Sequence, residues 1–380
     1  MKLIHRCAVA LAAGAALLAG AARAEDTINV AAIYATSGPA SIYGGPAEKA
    51  LRMMIDNLPN KSIDGRPVKL TVYDTEGNST KAAQLFRRAA ETDEAVLIFG
   101  PSTSGESLAI SPIANQLKVP TISNGGAEGI TKPVTPYMFA VGPTDRLMVE
   151  AIIASIKEHG WKKVAVLYSM DGYGQSGGTI SQELVKSSGL DLVAVETFAS
   201  QDTNMTPQLL RIRDKNPDAI ILWSANPGPT IVARNAVEMG LKTPFLVSTA
   251  NATIGFINQT GAAANGIIAT TLPVVAPEAL ADSDPRKAII QRFNKQYMDK
   301  YGLPADQASG LGFDNFLLLE AAIKSIKGPV TRESMRNAIE SIKMCGANGC
   351  RQMRADDHRG LTKDSIVMMQ IKDGGFVAAK

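Results

Sequence analysis

The chain has 380 residues, 45% of them apolar, with 39 Lys and Arg against 36 Asp and Glu. That is more material than one hydrophobic core usually organises, so two domains are expected. The formal charge of +3 falls to zero if the first 24 residues are removed, since they hold Lys2, Arg6 and Arg23 and no acid, and a neutral chain attracts neither nucleic acid nor an anionic membrane surface.

Residues 1–24 read as a secretory leader: a basic start, an apolar stretch from Ala8 to Ala22, then Ala22-Arg23-Ala24. The apolar core is roughly half the ~20 residues a membrane span needs, and no stop-transfer pattern follows, so cleavage before Glu25 is expected. The product is a soluble periplasmic protein in a compartment without nucleotide cofactor pools, and no cofactor is expected. Cys7 lies in the removed segment, away from the leader's end, which argues against lipid attachment.

From Ile28 onward, strand and helix patterns alternate. The apolar run Ile28–Tyr34 predicts a buried strand, and Gly44-Gly45-Pro46 predicts the start of a helix with Ala47, Ala50, Leu51, Met54 and Ile55 on one face. A strand at 68–72, a helix at 80–92, a strand at 95–99, a helix at 106–117 and a strand at 119–122 complete a parallel, doubly wound series. A second series follows Gly142-Pro143: helix 146–159, strand 164–168, helix 178–188, strand 192–196, a helix capped by Thr206, strand 219–223, helix 230–239 and strand 245–247. Right-handed crossovers fold each series into its own helix-covered sheet. Helices at 285–301 and 315–326 are expected to return over the first lobe, and a strand at 366–371 to finish the second.

In parallel sheets the functional loops lie beyond the strand carboxyl ends. Gly100-Pro101-Ser102-Thr103-Ser104-Gly105 leads into a helix, so hydroxyls and free N–H groups meet a positive helix end, an arrangement suited to a carboxylate. Simple capping by Ser102 or Ser104 is the plainer alternative. Ser123-Asn124-Gly125-Gly126-Ala127 offers a second run of approachable amides. The other lobe contributes Tyr173, in the loop after its first strand, and Asn226 in Ser224-Ala225-Asn226-Pro227-Gly228. Tyr43 takes the corresponding mouth position of the first lobe. A tyrosine there packs its ring on an apolar ligand while its hydroxyl hydrogen-bonds, or else serves only as a half-buried anchor.

Catalysis finds little support. Gly100-x-Ser102-x-Ser104 lacks the second glycine of a nucleophile elbow, and only His159 and His358 remain after the leader. No glycine-rich dinucleotide or phosphate-loop motif follows the first strand, so the chain is not read as an enzyme. Cys345 and Cys350 bracket four residues and are expected to form a local disulfide in an oxidising compartment. A zinc site lacks ligands, and no metal is expected.

Several short motifs fall in a familiar order over nearly the whole mature chain: Ser37-Gly38-Pro39 with Tyr43-Gly44, Tyr73-Asp74-Thr75, the Gly-Pro-x-x-Ser loop at 100–104, Asp171-Gly172-Tyr173-Gly174, and Gly240-Leu241-Lys242 near Pro244. Together they resemble the type I periplasmic solute-binding proteins of ABC importers, in the Leu/Ile/Val-binding branch. The resemblance implies two α/β lobes joined by three crossing strands, closing on a ligand before docking on an inner-membrane permease with its ATPase, as a monomer. The crossings fall near Gly142-Pro143, Leu272-Pro273 and Cys345–Met353. The first lobe then comprises 25–142 and 273–348, and the second 143–272 and 349–380.

Residue by residue, the resemblance implies that Ser104 holds a ligand carboxylate beside the Gly125 backbone, with Ser102 and Thr103 in the same loop, and that Tyr173 closes over the ligand. Two positions depart from the family pattern. Ala127 stands where it has a threonine, and Thr249 where it has the acid that receives an α-ammonium. A buried ammonium without a carboxylate partner costs several kcal/mol, so the expected ligand is a small carboxylate without an α-amino group, with a benzoate or hydroxycinnamate derivative the leading candidate. A branched-chain amino acid is the alternative, with Asp171 or another acid supplying the charge. A soluble sensor domain signalling through a partner protein is the reading from a different class.

Overall fold

The computed structural model of the protein describes residues 27–379. The expected leader at 1–24 and its cleavage point before Glu25 lie outside the described residues.

Six strands form the first sheet: β1 (Ile28–Tyr34), β2 (Ser62–Ile63), β3 (Arg66–Asp74), β4 (Leu97–Phe99), β5 (Thr121–Ser123) and β6 (Met138–Ala140), in the order β2-β3-β1-β4-β5-β6. Neighbours from β3 to β6 are parallel, and β2 is antiparallel to β3. Helices α1 (Ser41–Asp56), α2 (Ser79–Glu91) and α3 (Ser104–Leu117) make the crossovers. With both faces covered, β1 is buried almost throughout, which is why it reads as an unbroken apolar run rather than an alternation.

The second sheet repeats the plan. Its parallel strands are β7 (Lys163–Ser169), β8 (Asp191–Phe198), β9 (Ala219–Trp223), β10 (Phe245–Val247) and β11 (Ile268–Thr271), served by α4 (Asp145–Glu158), α5 (Gly172–Ser187), α6 (Thr206–Arg213), α7 (Gly228–Glu238) and α8 (Ile254–Thr260). The chain then returns to the first lobe through α9 (Pro285–Tyr301), α10 (Gln307–Ser325) and α11 (Arg332–Ile339); Phe316, Leu319, Met335 and Ile339 join the first core. A hairpin of β12 (Lys343–Gly346) and β13 (Gly349–Gln352) precedes β14 (Val367–Lys372) and β15 (Gly375–Ala378), which extend the second sheet to β15-β14-β11-β10-β9-β7-β8. Both final strands are antiparallel. In each sheet the strand order reverses beside the first strand, between β1 and β4 and between β7 and β9, the place where such sheets bind ligands.

Helix starts are where sequence reading and structure part. Helix α1 begins at Ser41 rather than Gly44, α5 at Gly172 rather than Gly178, and α10 at Gln307 rather than Asn315. In each case glycines at or before the expected start lie inside the helix, at positions where a neighbour leaves no room for a side chain. A Cβ on Gly177 would sit 2.0 Å from the Trp223 ring, and one on Gly312 2.1 Å from the Ala47 carbonyl oxygen of α1. Thr206 is the first residue of α6 rather than its cap, which is Met205. Helices α8 and α11 were not expected.

Cys345 and Cys350 are bonded across the hairpin. The third crossing is displaced from Cys345–Met353, and with it the assignment of 349–360 to the second lobe. Ala347 N–H donates to Asp314 of α10 at 2.7 Å, Arg351 pairs with Asp314 at 3.1 Å, and Ala140 N–H of β6 donates to the His358 carbonyl at 3.0 Å. These bonds hold the chain against the first sheet as far as Gly360, so it crosses between Leu361 and Ile366. Asp314 and Arg351 are both fully buried; burial raises the Asp314 carboxyl to about 6 despite the arginine.

Candidate ligand-binding cleft

The two switch points face each other across a cleft of about 440 Å³. On the first-lobe side the loop after β4 runs directly into α3. Thr103 is the helix cap: its hydroxyl oxygen accepts from Glu106 N–H, and the Glu106 carboxylate accepts both the Thr103 N–H at 3.1 Å and its hydroxyl at 2.7 Å. Such a reciprocal cap satisfies two orphan donors and leaves the next N–H groups, those of Ser104 and Gly105, without intrahelical partners. The Ser104 hydroxyl oxygen accepts from Ala127 N–H at 3.1 Å, which leaves its proton to donate elsewhere. Ser102 points away, its hydroxyl oxygen accepting from Ala35 N–H at 3.0 Å and tying the β1 loop to the β4 loop.

Beside this helix start lies the loop after β5. A Cβ on Gly125 would come within 3.1 Å of Ser104 N, so the two loops touch. Gly125 N–H is taken by the Ser123 hydroxyl at 2.9 Å, and its carbonyl by Arg359 at 3.0 Å. The amide of this loop that faces the cleft unclaimed among the described residues is that of Gly126.

Tyr43 of α1 reaches over the cleft, where its hydroxyl oxygen accepts the N–H of Asn226 in the second lobe at 2.9 Å. Other bonds join the lobes: Glu128 N–H to the Ser176 hydroxyl at 3.3 Å, and Ile254 N–H to Asp306 at 3.2 Å. The lobes are therefore closed. Burial raises the Tyr43 phenol above its ordinary range, so it stays protonated and able to donate.

The second-lobe wall turns its polar atoms inward to its own framework. Tyr173 donates to the Ser248 hydroxyl at 2.7 Å, and its ring packs against Gly126. Thr249 directs its hydroxyl to the Met148 thioether at 3.2 Å. The Asn226 side chain engages Thr230 and Gln259. What remains toward the cleft is mostly ring, aliphatic and thioether surface, joined by Ala225, Pro227 and Ala250, with Asp171 and Ser200 as its polar exceptions.

These features together describe a two-lobed clamp whose interior offers hydrogen-bond donors on one side and apolar surface on the other. The periplasmic binding protein family model matches residues 27–375. This chain belongs to that family, in its type I form. Among curated relatives, a Leu/Ile/Val-binding protein homolog 7 of Brucella suis biovar 1 is 24% identical, over 96% of this chain and 94% of its own. An extracellular ligand-binding receptor of Rhodopseudomonas palustris HaA2 superposes with a TM-score of 0.86 at 28% identity, covering 93% of this chain and all of that one. A solute-binding protein of an ABC transporter from R. palustris, solved in complex with benzoate, gives 0.80 at 21% identity over 92% of this chain and 95% of its own.

Periplasmic binding proteins bind solutes rather than transform them, as the absence of catalytic motifs led one to expect. Of the residues singled out in the sequence of this binding protein, Ser102, Thr103, Ser104, Gly125, Tyr43, Tyr173, Asn226 and Thr249 all line the cleft. Ala127 does not; it is buried behind, serving Ser104 through its N–H. Lining is not contact: the polar groups of Thr103, Gly125, Asn226 and Thr249 are engaged within the protein and the Ser102 hydroxyl is turned to Ala35, whereas Ser104, Gly105, Gly126 and Tyr43 keep donors to offer.

Two residues behind the cleft escaped sequence reading. Asp145, first residue of α4, is fully buried beside Gly126, and burial pushes its carboxyl up to about 7 against the pull of Ser176 and Arg359. Arg359 is buried at the meeting of the loop 125–127 and the first crossing, and burial lowers its guanidinium to about 10. Both sit in polar stretches of sequence, Thr144-Asp145-Arg146 and Asp356-Asp357-His358-Arg359, that carry no motif.

Proposed function

We propose that this protein captures a small carboxylate lacking an α-amino group, an aromatic acid of the benzoate or hydroxycinnamate kind foremost, for an ABC importer. The observation that carries this reading is the state of the cleft's acids. At Thr249, where the resemblance places the ammonium acceptor, a neutral hydroxyl faces Met148. The two carboxylates that do line the cleft are already engaged: Glu76 with Lys81, and Asp171 with the N–H groups of Tyr173 and Gly174 and the Ser200 hydroxyl. An ammonium would have to share a carboxylate whose oxygens already accept several hydrogen bonds, whereas a carboxylate meets the α3 N–H groups, the Ser104 hydroxyl and the positive helix end. The apolar second-lobe wall suits a ring, and the benzoate complex of a structural relative supports the same class.

Closure is a hinge motion between a first lobe built on the β1–β6 sheet and a second on β7–β11, through crossings at 142–143, 272–273 and 361–366. Ligand contacts from both walls favour the closed state. The leader at 1–24 directs export and is cleaved, and the monomeric closed form is handed to a membrane permease and its ATPase.

A branched-chain amino acid is the second reading, favoured by the names of the curated relatives and by Asp171 at the cleft wall. Calorimetry with 4-hydroxybenzoate and 4-hydroxycinnamate against leucine and valine separates the two. The aromatic acids are expected to bind and the amino acids not; tight leucine binding overturns the preference.

A further inference from the structure

We infer that Arg359 is a positioning residue for ligand capture: from behind the cleft it turns the Gly126 N–H toward the bound carboxylate. The inference deepens the carboxylate reading and rests on it. Arg359 is 2% exposed and is not among the residues that line the cleft. Its guanidinium donates to the Gly125 carbonyl at 3.0 Å, the Ala127 carbonyl at 2.7 Å, the Gly142 carbonyl at 2.9 Å, the Pro143 carbonyl at 3.3 Å and the Thr131 hydroxyl at 2.9 Å.

Peptide geometry gives this its consequence. The Gly125–Gly126 bond is trans, and in a trans peptide the C=O and the following N–H point in opposite directions. Drawing the Gly125 oxygen back to Arg359 therefore sends the Gly126 N–H the other way, toward the cleft that Gly126 lines. The same rule is visible one step on. With the Ala127 oxygen held by Arg359, the Glu128 N–H points across the lobe boundary to Ser176. A glycine pair has little intrinsic preference for either peptide orientation, so the external grip decides it. A cation on the carbonyl also strengthens the N–H as a donor, since charge-assisted bonds polarise along a chain. One arginine thus sets the ligand amide, the inter-lobe amide and the first crossing together.

The test compares a carboxylate with its carboxamide, which keeps shape and removes charge. Affinities of 4-hydroxybenzoate and 4-hydroxybenzamide, and in parallel leucine and leucinamide, are measured for the wild type, Arg359→Gln and Arg359→Lys, with melting curves to establish folding. The expected result is that Arg359→Gln lowers the carboxylate-to-amide preference about tenfold, the loss of one charge-assisted bond, while lysine restores part of it. General damage to the fold weakens acid and amide alike, so an unchanged ratio overturns the inference. A wild type that shows no preference for either acid instead refutes the carboxylate reading. A crystal structure of the glutamine variant, or of the lysine variant if glutamine does not fold, gives a ligand-free check. A Gly125–Gly126 peptide in its original orientation there overturns the role of Arg359.

Discussion

The two walls of the cleft are built from the same topological position in two similar sheets, yet they do opposite things. On the first-lobe wall, caps and crosslinks consume the outer polar groups and leave a small set of donors, at Ser104, Gly105 and Gly126, converging at the start of α3. On the second-lobe wall, Tyr173, Thr249 and Asn226 bind Ser248, Met148, Thr230 and Gln259 of their own lobe and show the cleft their apolar sides. Under the proposed carboxylate reading, the difference separates two tasks: one wall fixes the ligand's charge, and the other covers its body.

Breaking the donor wall is expected to cost most. Ser104→Ala removes a hydroxyl donor to a charged group and the acceptor of Ala127 N–H, so carboxylate affinity should fall about 10- to 100-fold by calorimetry. Unchanged affinity would remove the anion site from α3. Tyr43→Phe strikes the seam between the walls. Losing the bond from Asn226 N–H should weaken the closed state by about 1 kcal/mol, seen as a roughly fivefold faster ligand dissociation in stopped-flow.

A third change sharpens the contrast through pH. Because the Asp145 carboxyl is raised to about 7 from an ordinary 3.8, its contribution to stability is fully present below the lower value and is lost as pH rises through the upper one. Asp145→Asn should therefore melt progressively higher relative to the wild type between about pH 4 and 7 and level off above, by several degrees at most. A difference independent of pH would show that the carboxyl is ionised throughout. The smallest effect is expected at Tyr173→Phe, since that hydroxyl serves Ser248 and only the ring faces the ligand. Affinity should hold within about threefold while stability drops by about 1 kcal/mol; a larger affinity loss would give the second wall a polar role.

Much of this architecture could be read from residue order. Alternation of apolar runs and helical stripes located both sheets, and the strand ends pointed to the loops at 100–105, 123–127 and 224–228. The failures share a cause. At Gly44, Gly177 and Gly312, glycine is present because another backbone or ring lies about 2 Å from where its Cβ would be, and no local pattern distinguishes that from a turn. Arg359 and Asp145 were illegible for a related reason: their burial is created by chain crossings that bring 125–127, 142–145 and 359 together from distant parts of the sequence. The site residues whose polar groups proved to be engaged internally, such as Gly125 and Asn226, illustrate the same limit, because a loop's position can be read from strand ends but the direction of each N–H cannot.

One property of the donor wall bears on the conditions in which the protein works. Among the described residues no lysine, arginine or histidine lines the cleft; under the proposed reading the anion is gripped by aligned dipoles and a hydroxyl inside closed lobes. Counter-ions in the medium screen exposed charges far more than enclosed ones. Retention of cargo should accordingly vary little with salinity, a useful trait in a compartment whose ionic content follows the surroundings of the cell.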